Sequence, residues 1–384
     1  MIGHKRIPSR EGGIEIVVEE LSKRLVKSGH EVVAYNRKEG RAKNGKLMKS
    51  GRQYYEGIKV VTVPTVCRKS LDAFVYSFLA TMRALFGRYD VIHYHAEGPS
   101  VMLFIPHLFK IKTMVTIHGL DWQRAKWGGL ARRYLLLGEK IAAKYADEVI
   151  VLSSNLQDYF LKTYHRQTQY IPNGINAAQP VEADIIKKKF GLEKNSYLLF
   201  LARIVPEKGL HYLIKAYQSI DTEIKLVAAG ASSYSDEYRK EIEALAAKDA
   251  RIILTGAVYG KELEELFSNC RAYILPSDIE GMPLSLLEAM SYKRKCIVSD
   301  IPENLEVTKH PELSFRKGDI ASLREVLERN ITDTNCGESG DAGEFMEYDL
   351  SEYDWDVIAD QHARLYGGIK EGDKEEEVWR FQGQ

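Results

Sequence analysis

The chain has 384 residues, and its 54 basic side chains balance 54 acidic ones. This length exceeds what one compact core usually organises, so it favours two domains. A hydrophobic content of 45% excludes a disordered chain, and the lack of any run of 18 apolar residues predicts no membrane-spanning helix.

The charge is distributed unevenly along the sequence. Residues 1–170 hold 28 Lys and Arg against 15 Asp and Glu, a net charge of +13, whereas residues 171–384 hold 26 against 39, a net charge of −13. The basic half favours an anionic partner such as a phospholipid surface or a lipid pyrophosphate. Attraction between two oppositely charged domains is the alternative. No nucleic-acid recognition motif accompanies the basic half, so we expect no nucleic-acid partner.

The N-terminus and the cysteines indicate the cellular compartment. Residues 1–13 are polar and basic without an apolar core, so they do not resemble a signal peptide. The four cysteines show neither close pairing nor zinc-ligand spacing, which is typical of a reducing cytosol. We therefore expect a cytoplasmic protein that the basic half holds at the inner face of an anionic membrane.

Apolar strand-like runs alternate with helical patterns along nearly the whole chain. The predicted strands are 31–35, 59–63, 91–94, 113–117 and 148–152, then 197–202, 225–229, 251–255, 272–275 and 296–299. The predicted helices include 13–28, 133–145, 209–219, 236–247, 261–269, 285–292 and 320–329. Such alternation is typical of parallel sheets covered by helices, and it occurs twice. We therefore predict an α/β fold with two doubly wound, Rossmann-like domains facing each other across a cleft.

A turn-rich segment, Ile171-Pro172-Asn173-Gly174-Ile175, predicts the boundary between the two domains. The N-terminal domain then spans residues 1–170 and the C-terminal domain residues 171–352. An acidic stretch at 332–349 is expected to be an irregular surface excursion. Residues 353–384 are expected to form a last helix, capped by Asp354, and a charged tail from residue 371.

The first strand of the first domain is unusually short. Only Met1-Ile2-Gly3 precede the first loop, although this strand is usually central in a doubly wound sheet. Its loss would expose backbone and core, so we expect the true start to lie upstream or the chain to be truncated here.

A further apolar stretch, residues 71–86, reads as an amphipathic helix because Asp72 and Arg83 interrupt it. Its large apolar residues on one side are Phe74, Phe78, Leu79, Met82 and Leu85. We expect this side to face the core rather than a membrane.

Two candidate binding loops lie in the first half. Gly12 and Gly13 open the first helix, where paired glycines allow a phosphate or sugar to approach the helix N-terminus. His118 ends a predicted strand, and an imidazole there can donate a hydrogen bond to a sugar hydroxyl or stabilise developing charge. The preceding strand ends in His93, His95 and Glu97. These three are weaker candidates for binding a ligand in the same crevice.

Two more loops lie at strand ends in the second half. Arg203 and Lys208 flank the loop after strand 197–202, where a guanidinium fork and an ammonium group suit a diphosphate. An ion pair with Glu207 is the alternative. Gly256 and Val258 follow strand 251–255 in a small-residue turn, where the backbone is expected to meet a flat base.

The most informative segment follows strand 272–275. It contains Glu280-Gly281-Met282-Pro283 and, eight residues after the first glutamate, Glu288. A strand, a tight turn and a helix bring backbone N–H groups and the positive end of a helix to one place, which favours phosphate. The two carboxylates can accept hydrogen bonds from sugar hydroxyls. A surface acid beside an ordinary helix start is the alternative.

Together these motifs, in this order, resemble those of the family 4 glycosyltransferases of the GT-B fold over nearly the whole chain. The ordered set is Gly12-Gly13, His118-Gly119, Pro172-Asn173-Gly174-Ile175, Arg203 with Lys208-Gly209, and Glu280-Gly281-Met282-Pro283 with Glu288. Segments 4–13 and 118–127 are similar to those of a bacterial subgroup associated with capsule, exopolysaccharide and O-antigen assembly, which has rhamnosyltransferases among its relatives.

The resemblance implies a retaining transfer from a nucleotide-diphosphate sugar, without a metal ion or another cofactor. It implies that Arg203 and Lys208 neutralise the leaving diphosphate. It further implies that Glu288 holds the ribose hydroxyls and that Glu280 holds the donor sugar.

Other roles follow from the same resemblance. The backbone amides of Gly281 and Met282 would contact sugar or phosphate, and His118 would approach the donor sugar from the other domain. Gly13 would lie near phosphate or acceptor, and the last helix would cross back onto the first domain. The acceptor would be a glycan or a polyprenyl-diphosphate-linked glycan.

Two other functions stay open at this point. A sugar-nucleotide epimerase on the same two-domain plan would need neither an acceptor nor a basic half facing a membrane. A non-catalytic sugar-nucleotide-binding protein that positions another transferase is the second, although Arg203, Lys208, Glu280 and Glu288 argue against it.

Overall fold

Strands and helices alternate through both halves of the chain. The computed structural model describes residues 1–10, 12–38, 52–65, 71–124, 127–231, 236–332 and 346–367. The excursion predicted around residues 332–349 lies mostly outside the described residues, as does the charged tail predicted from residue 371.

The first half contains strands β1 (Val33–Arg37), β2 (Arg52–Tyr55), β3 (Ile58–Val63), β4 (Val91–His95), β5 (Lys112–Ile117), β6 (Glu148–Val151) and β7 (Gln169–Tyr170). Its helices are α1 (Gly13–Lys27), α2 (Asp72–Leu85), α3 (Glu97–Ser100), α4 (Phe104–Leu108), α5 (Gly129–Tyr145) and α6 (Ser154–Tyr164). Strands β4-β5-β6-β7 form a parallel sheet, and β3 lies between a parallel β1 and an antiparallel β2.

Residues Met1–Gly3 lie between these two groups of strands. The N–H of Ile2 donates to the carbonyl of His93, and the N–H of His95 donates back to Ile2, at 2.9 and 2.8 Å. On the other side, the N–H of Tyr35 donates to Met1 at 3.1 Å. The segment therefore occupies the central position that the sequence assigns to the first strand, and Ile2 is fully buried there.

The second half contains strands β8 (Tyr197–Leu201), β9 (Lys225–Ala229), β10 (Ile252–Gly256), β11 (Ala272–Leu275), β12 (Lys295–Ser299) and β13 (Ser314–Phe315). Its helices are α7 (Ile185–Phe190), α8 (Leu210–Gln218), α9 (Asp236–Ala246), α10 (Lys261–Asn269), α11 (Leu284–Ser291), α12 (Pro302–Thr308), α13 (Ile320–Thr332) and α14 (Trp355–Gly367).

All six strands of this second sheet are parallel, in the order β10-β9-β8-β11-β12-β13. Side chains alternate between two buried clusters: Leu198 and Phe200 belong to one, and Tyr197 and Leu199 to the other. Because both faces are buried beneath helices, the strands are mostly apolar, with polar residues near their ends rather than at alternating positions. The predicted doubly wound α/β architecture is confirmed.

The strand order reverses direction between β8 and β11. In doubly wound sheets, ligands bind outside the carboxyl ends of the strands where such a reversal occurs. The two strands pair directly, Ala272 with Leu198 and Tyr273 with Leu199, so the loops that follow them leave the sheet side by side. The fold thus places the loop of Lys208 next to the loop of Glu280.

The last helix, α14, packs against the first half of the chain. Trp355 is buried in a cluster with Val17 and Met114, and Asp356 pairs with Arg24 at 2.6 Å. Asp354 accepts the N–H of Asp356 at 2.6 Å, so the predicted cap at the start of this helix is confirmed.

The prediction for helix 71–86 is partly wrong. It forms α2, but Phe74 and Phe78, which were expected in the core, are exposed. The buried side instead carries Tyr76 together with small side chains such as Ala80 and Ala84. Among the described residues, no helix has both the length and the apolar composition that a bilayer crossing requires.

Candidate active site

The loops after β8 and β11 bring a lysine and a glutamate together. The Nζ atom of Lys208 lies 2.5 Å from Oε1 of Glu280, and both side chains are largely buried, with 15% and 6% of their surface exposed. The N–H of Asp278 donates to the carbonyl of Glu207 at 2.9 Å, which holds the two loops together. The alternative pairing of Lys208 with Glu207 is therefore not what the structure shows.

The glycine after Lys208 is required by this close approach. Gly209 has a φ of +70°, and a Cβ atom there would overlap the carbonyl oxygen of Pro276. A larger residue would push the two loops apart, because the clash is with backbone and the φ lies in the left-handed region.

The second predicted cation, Arg203, lies half-buried on the same loop. Within the described part of the chain, its guanidinium makes no ion pair. Burial lowers the pKa of Lys208, and the charges of Arg203 and Arg124 lower this pKa further, whereas Glu280 raises it. Several cations around one carboxylate leave an excess of positive charge, which an anion such as a diphosphate would offset.

The second glutamate, Glu288, lies on α11 and is half-buried. Burial raises its pKa to about 7, and Arg10 is the charge that opposes this shift. Its carboxylate has no ion-pair partner among the described residues. An unpaired, partly desolvated carboxylate favours hydroxyl donors, so the geometry fits contact with a sugar or a ribose.

The Glu288→Gln variant is expected to lose less unfolding free energy than the parent protein when the pH rises from 5 to 8. Because the pKa of Glu288 is higher in the folded protein than in the unfolded chain, its proton stabilises the fold at low pH, and this contribution is lost as pH rises through about 7. The variant should therefore gain about 2 kcal/mol relative to the parent at pH 8 and little at pH 4, measured by urea unfolding. A constant difference across this range would contradict the shifted pKa.

Residues from the other half of the chain meet these loops directly. A Cβ atom on Gly281 would overlap the carbonyl oxygen of His118, and one on Gly119 would lie 3.1 Å from the Cα of Gly281. A Cβ on Gly13 would lie 3.5 Å from Leu284 at the start of α11. The two halves therefore face each other across a cleft, with His118 opposite Glu280-Gly281.

His118 is itself held by a second histidine. Its Nε2 atom lies 3.1 Å from Nδ1 of His95, and His93 stacks on His95 with ring centroids 4.3 Å apart. Burial lowers the pKa of His118 to about 4 and the pKa values of His93 and His95 well below the ordinary value. Each ring is thus neutral at pH 7, and one of the two facing nitrogens must carry the proton that the other accepts, so the tautomers of His118 and His95 are linked.

His95→Leu is expected to lower turnover about tenfold, since the hydrogen bond that orients His118 is lost and a bond of this kind contributes about 1.4 kcal/mol. His95→Asn places an amide near the position of Nδ1 and should stay close to the parent rate. Rates are compared at saturating substrate, with melting temperatures as the check on folding. Equal rates for the leucine variant and the parent would show that His95 does not position His118.

Among the remaining predicted donor-binding residues, Gly256 is exposed, whereas Val258 and Met282 are buried. Gly256 is exposed at the carboxyl end of β10 with a φ of +73°, and its carbonyl accepts the N–H of Gly230. The side chain of Val258 packs into the core of the second sheet. Met282 is also buried, and its sulfur accepts the N–H of Asn173 at 2.9 Å. The side chains of Val258 and Met282 thus support the fold, and their backbone groups are what a ligand would contact.

A buried carboxylate behind the His118 loop was not among the predicted site residues. Glu139 accepts hydrogen bonds from Trp122, Tyr159 and Tyr164 at 3.0, 2.7 and 2.6 Å. It therefore fixes the loop that follows His118 to helices α5 and α6. The signal that would have indicated it is a glutamate among the core-facing positions of an amphipathic helix. The described residues bring no three His, Cys, Asp or Glu side chains together as a metal site.

Two family models match the two halves of the chain. One, described as Glycosyltransferase Family 4, matches residues 11–179, and the other, described as Glycosyl transferases group 1, matches residues 182–341. Their border falls beside the boundary segment at 171–175.

Individual proteins show the same relationship. The UDP-Gal:alpha-D-GlcNAc-diphosphoundecaprenol alpha-1,3-galactosyltransferase of Escherichia coli is 27% identical over 73% of this chain and 79% of its own length. The O-antigen chain mannosyltransferase RfbU of Salmonella typhimurium is 27% identical over 72% and 78%, respectively.

Among solved structures, the sucrose-phosphate synthase of Thermosynechococcus elongatus superposes with a TM-score of 0.75 at 22% identity, over 93% of this chain and 94% of its own. At that identity the likeness concerns the fold, which is GT-B. With both family models matching in order and the predicted cleft between two doubly wound domains, the chain belongs to glycosyltransferase family 4 and is an enzyme that transfers sugars.

Proposed function

We propose that this glycosyltransferase moves a sugar, with retention of configuration, from a nucleotide-diphosphate sugar to a glycan or polyprenyl-diphosphate-linked acceptor. The observation that carries the proposal is the Lys208–Glu280 pair, which faces His118 of the other half and lies beside Arg203, a side chain without an ion pair among the described residues. Such a site combines cations for a diphosphate with a carboxylate for sugar hydroxyls.

Each residue has a distinct task in the proposed reaction. Arg203 and Lys208 stabilise the diphosphate as its bond to the sugar breaks, and Glu280 holds the sugar that they help to release. Glu288 binds the ribose hydroxyls, while His118 contacts the sugar from the opposite side. The positive charge of Arg203 and Lys208 takes the place of a metal ion at the diphosphate.

The bond changes are those of a substitution on one face of the sugar. The bond between the sugar's anomeric carbon and the phosphate oxygen breaks, and a bond from the acceptor oxygen to the same carbon forms. The acceptor's proton passes to the departing phosphate oxygen, because no carboxylate in the described site is placed as an evident nucleophile. The transition state resembles an oxocarbenium ion, and closure of the two halves excludes water from it.

The acceptor and its place in the cell are inferred from the relatives and the charge. The galactosyltransferase named above acts on a diphosphoundecaprenol-linked sugar, and RfbU is named for O-antigen chains. The first 170 residues carry a net charge of +13, which favours an anionic membrane surface. We therefore place the enzyme in the cytoplasm, in peripheral contact with the inner face of the membrane, in cell-surface polysaccharide synthesis.

A thermal-shift screen tests donor binding. UDP-, GDP- and dTDP-sugars are added separately, and the matching donor is expected to raise the melting temperature by mass action. The Lys208→Ala variant serves as the control, because it should lose that increase. If no nucleotide sugar raises the melting temperature of the parent, the proposed donor class is wrong.

Product analysis separates transfer from the alternatives. Incubation with donor alone should leave the sugar unchanged apart from slow hydrolysis, whereas an epimerase would convert it. Transfer to a lipid-linked acceptor should continue after treatment with EDTA. Donor binding without turnover across a panel of acceptors would favour the non-catalytic role, and a trapped covalent glycosyl-enzyme would refute the proposed same-face step.

A further inference from the structure

Large apolar side chains are exposed on one helical layer of the first half. Helix α4 contacts both α2 and α5, and the ring of Phe74 on α2 lies 6.0 Å from that of Tyr134 on α5. Exposed residues of this layer include Phe74 and Phe78 on α2 and Leu108 on α4. The exposed apolar side chains thus lie on helices that contact one another, and a large exposed apolar patch marks an interaction surface.

Helix α5 shows what this surface is suited to bind. Leu130, Arg133, Leu137, Lys140 and Lys144 are all exposed and are spaced three or four residues apart, so they lie along one face of the helix. We call these five residues the α5 stripe. It combines two leucines with three cations.

The charges of α5 are segregated. The only acidic residue of this helix, Glu139, is buried and holds Trp122 and two tyrosines. The exposed charges of the helix are therefore all positive. The same face carries leucines that are 82% (Leu130) and 48% (Leu137) exposed, so it combines cations with apolar side chains that no other described element covers. The combination is typical of a helix that lies in a membrane interface.

One end of the α5 stripe lies near the cleft. Helix α5 starts on the side of the sheet where β5 ends and where His118 lies, so Leu130 is at the cleft end of the stripe. A bilayer in contact with the stripe would lie beside the opening between the two halves. A lipid-linked acceptor could then enter the cleft while its lipid stays in the bilayer.

We propose that the α5 stripe, with the exposed apolar residues of α2 and α4, docks this enzyme onto an anionic bilayer. The leucines and phenylalanines insert at the boundary between head groups and acyl chains, and the cations pair with anionic head groups. The net charge of +13 in the first 170 residues supplies the long-range attraction. The purpose of this docking rests on the proposed lipid-linked acceptor, but the docking itself is measured without donor or acceptor.

Vesicle flotation of the full chain tests the docking. Phosphatidylcholine vesicles with and without phosphatidylglycerol are compared, and binding is expected to need the anionic lipid and to weaken at high salt. The double variants Leu130→Glu/Leu137→Glu and Lys140→Glu/Lys144→Glu should each bind at least ~10-fold more weakly. Leu161→Glu on α6 is the matched control, because this leucine has the same exposure as Leu137, 49% against 48%, and lies outside the stripe.

Two further measurements make the outcome decisive. Donor-induced melting shifts and transfer to a water-soluble acceptor should be unchanged in the stripe variants, which shows that they fold and that the cleft works. Parent-like flotation of both double variants, or an equal loss in Leu161→Glu, would overturn the proposal. The proposal would also be overturned if the stripe variants changed the oligomeric state, measured by light scattering, without changing vesicle binding. The surface would then bind a second copy of the chain.

Discussion

Lys208→Ala and Glu280→Ala are each expected to lower turnover at least ~100-fold while the protein stays folded. Lys208 provides a buried positive charge next to the position proposed for the leaving diphosphate, and that charge is needed most as the bond to the sugar breaks. Glu280 lies against it and is proposed to hold the sugar. The measurement is the rate of transfer with the donor that the thermal-shift screen identifies.

The two residues also form a buried ion pair, so a loss of stability must be separated from a loss of catalysis. Lys208→Ala leaves a carboxylate with 6% exposure unpaired, which should cost about 3 kcal/mol of unfolding free energy. The double variant Lys208→Met/Glu280→Gln removes both charges and should recover most of that stability without recovering turnover. Near-normal rates in both alanine variants would refute the assignment of this site.

The meeting of Lys208 and Glu280 could be predicted only in part. Strand ends and Gly-Pro turns in the sequence indicate that each residue lies at the carboxyl edge of a parallel sheet. That β8 and β11 are neighbours does not follow from local patterns, because β9 and β10 separate them in sequence. The resemblance to family 4 implied only that both residues act on one donor molecule, and the strand order gives the physical reason why their loops are adjacent.

Other parts of the fold depended on contacts that a single sequence does not show. Strands β7 and β13 have two residues each, too few to display a periodic pattern. Phe74 and Phe78 are exposed because α2 turns a different side, which carries Tyr76, Ala80 and Ala84, toward the core. Helical spacing grouped the large apolar side chains of α2 on one side, but it could not show that the core covers a different side, which carries Tyr76, Ala80 and Ala84.

Gly281→Ala is expected to lower kcat/KM at least ~100-fold with little change in donor binding. The added Cβ atom would overlap the carbonyl oxygen of His118, and because this neighbour is backbone, no side-chain rotation relieves the clash. The two halves must then move apart, and a displacement of about 1 Å between reacting groups can cost ~100-fold in rate. Arg203, Lys208 and Glu288 all lie on the same half as Gly281, so donor binding should survive.

The choice of glycine makes this test specific. The φ of Gly281 lies outside the left-handed region, so alanine meets no backbone strain there, whereas Gly119 has a φ of +137° and would confound strain with contact. Gly129→Ala is the matched control, since a Cβ at that position meets nothing within 4 Å. The control should keep the parent rate. A Gly281→Ala rate within about threefold of the parent would mean that catalysis does not require the halves to approach at His118, because a loss that small amounts to less than 1 kcal/mol of the barrier.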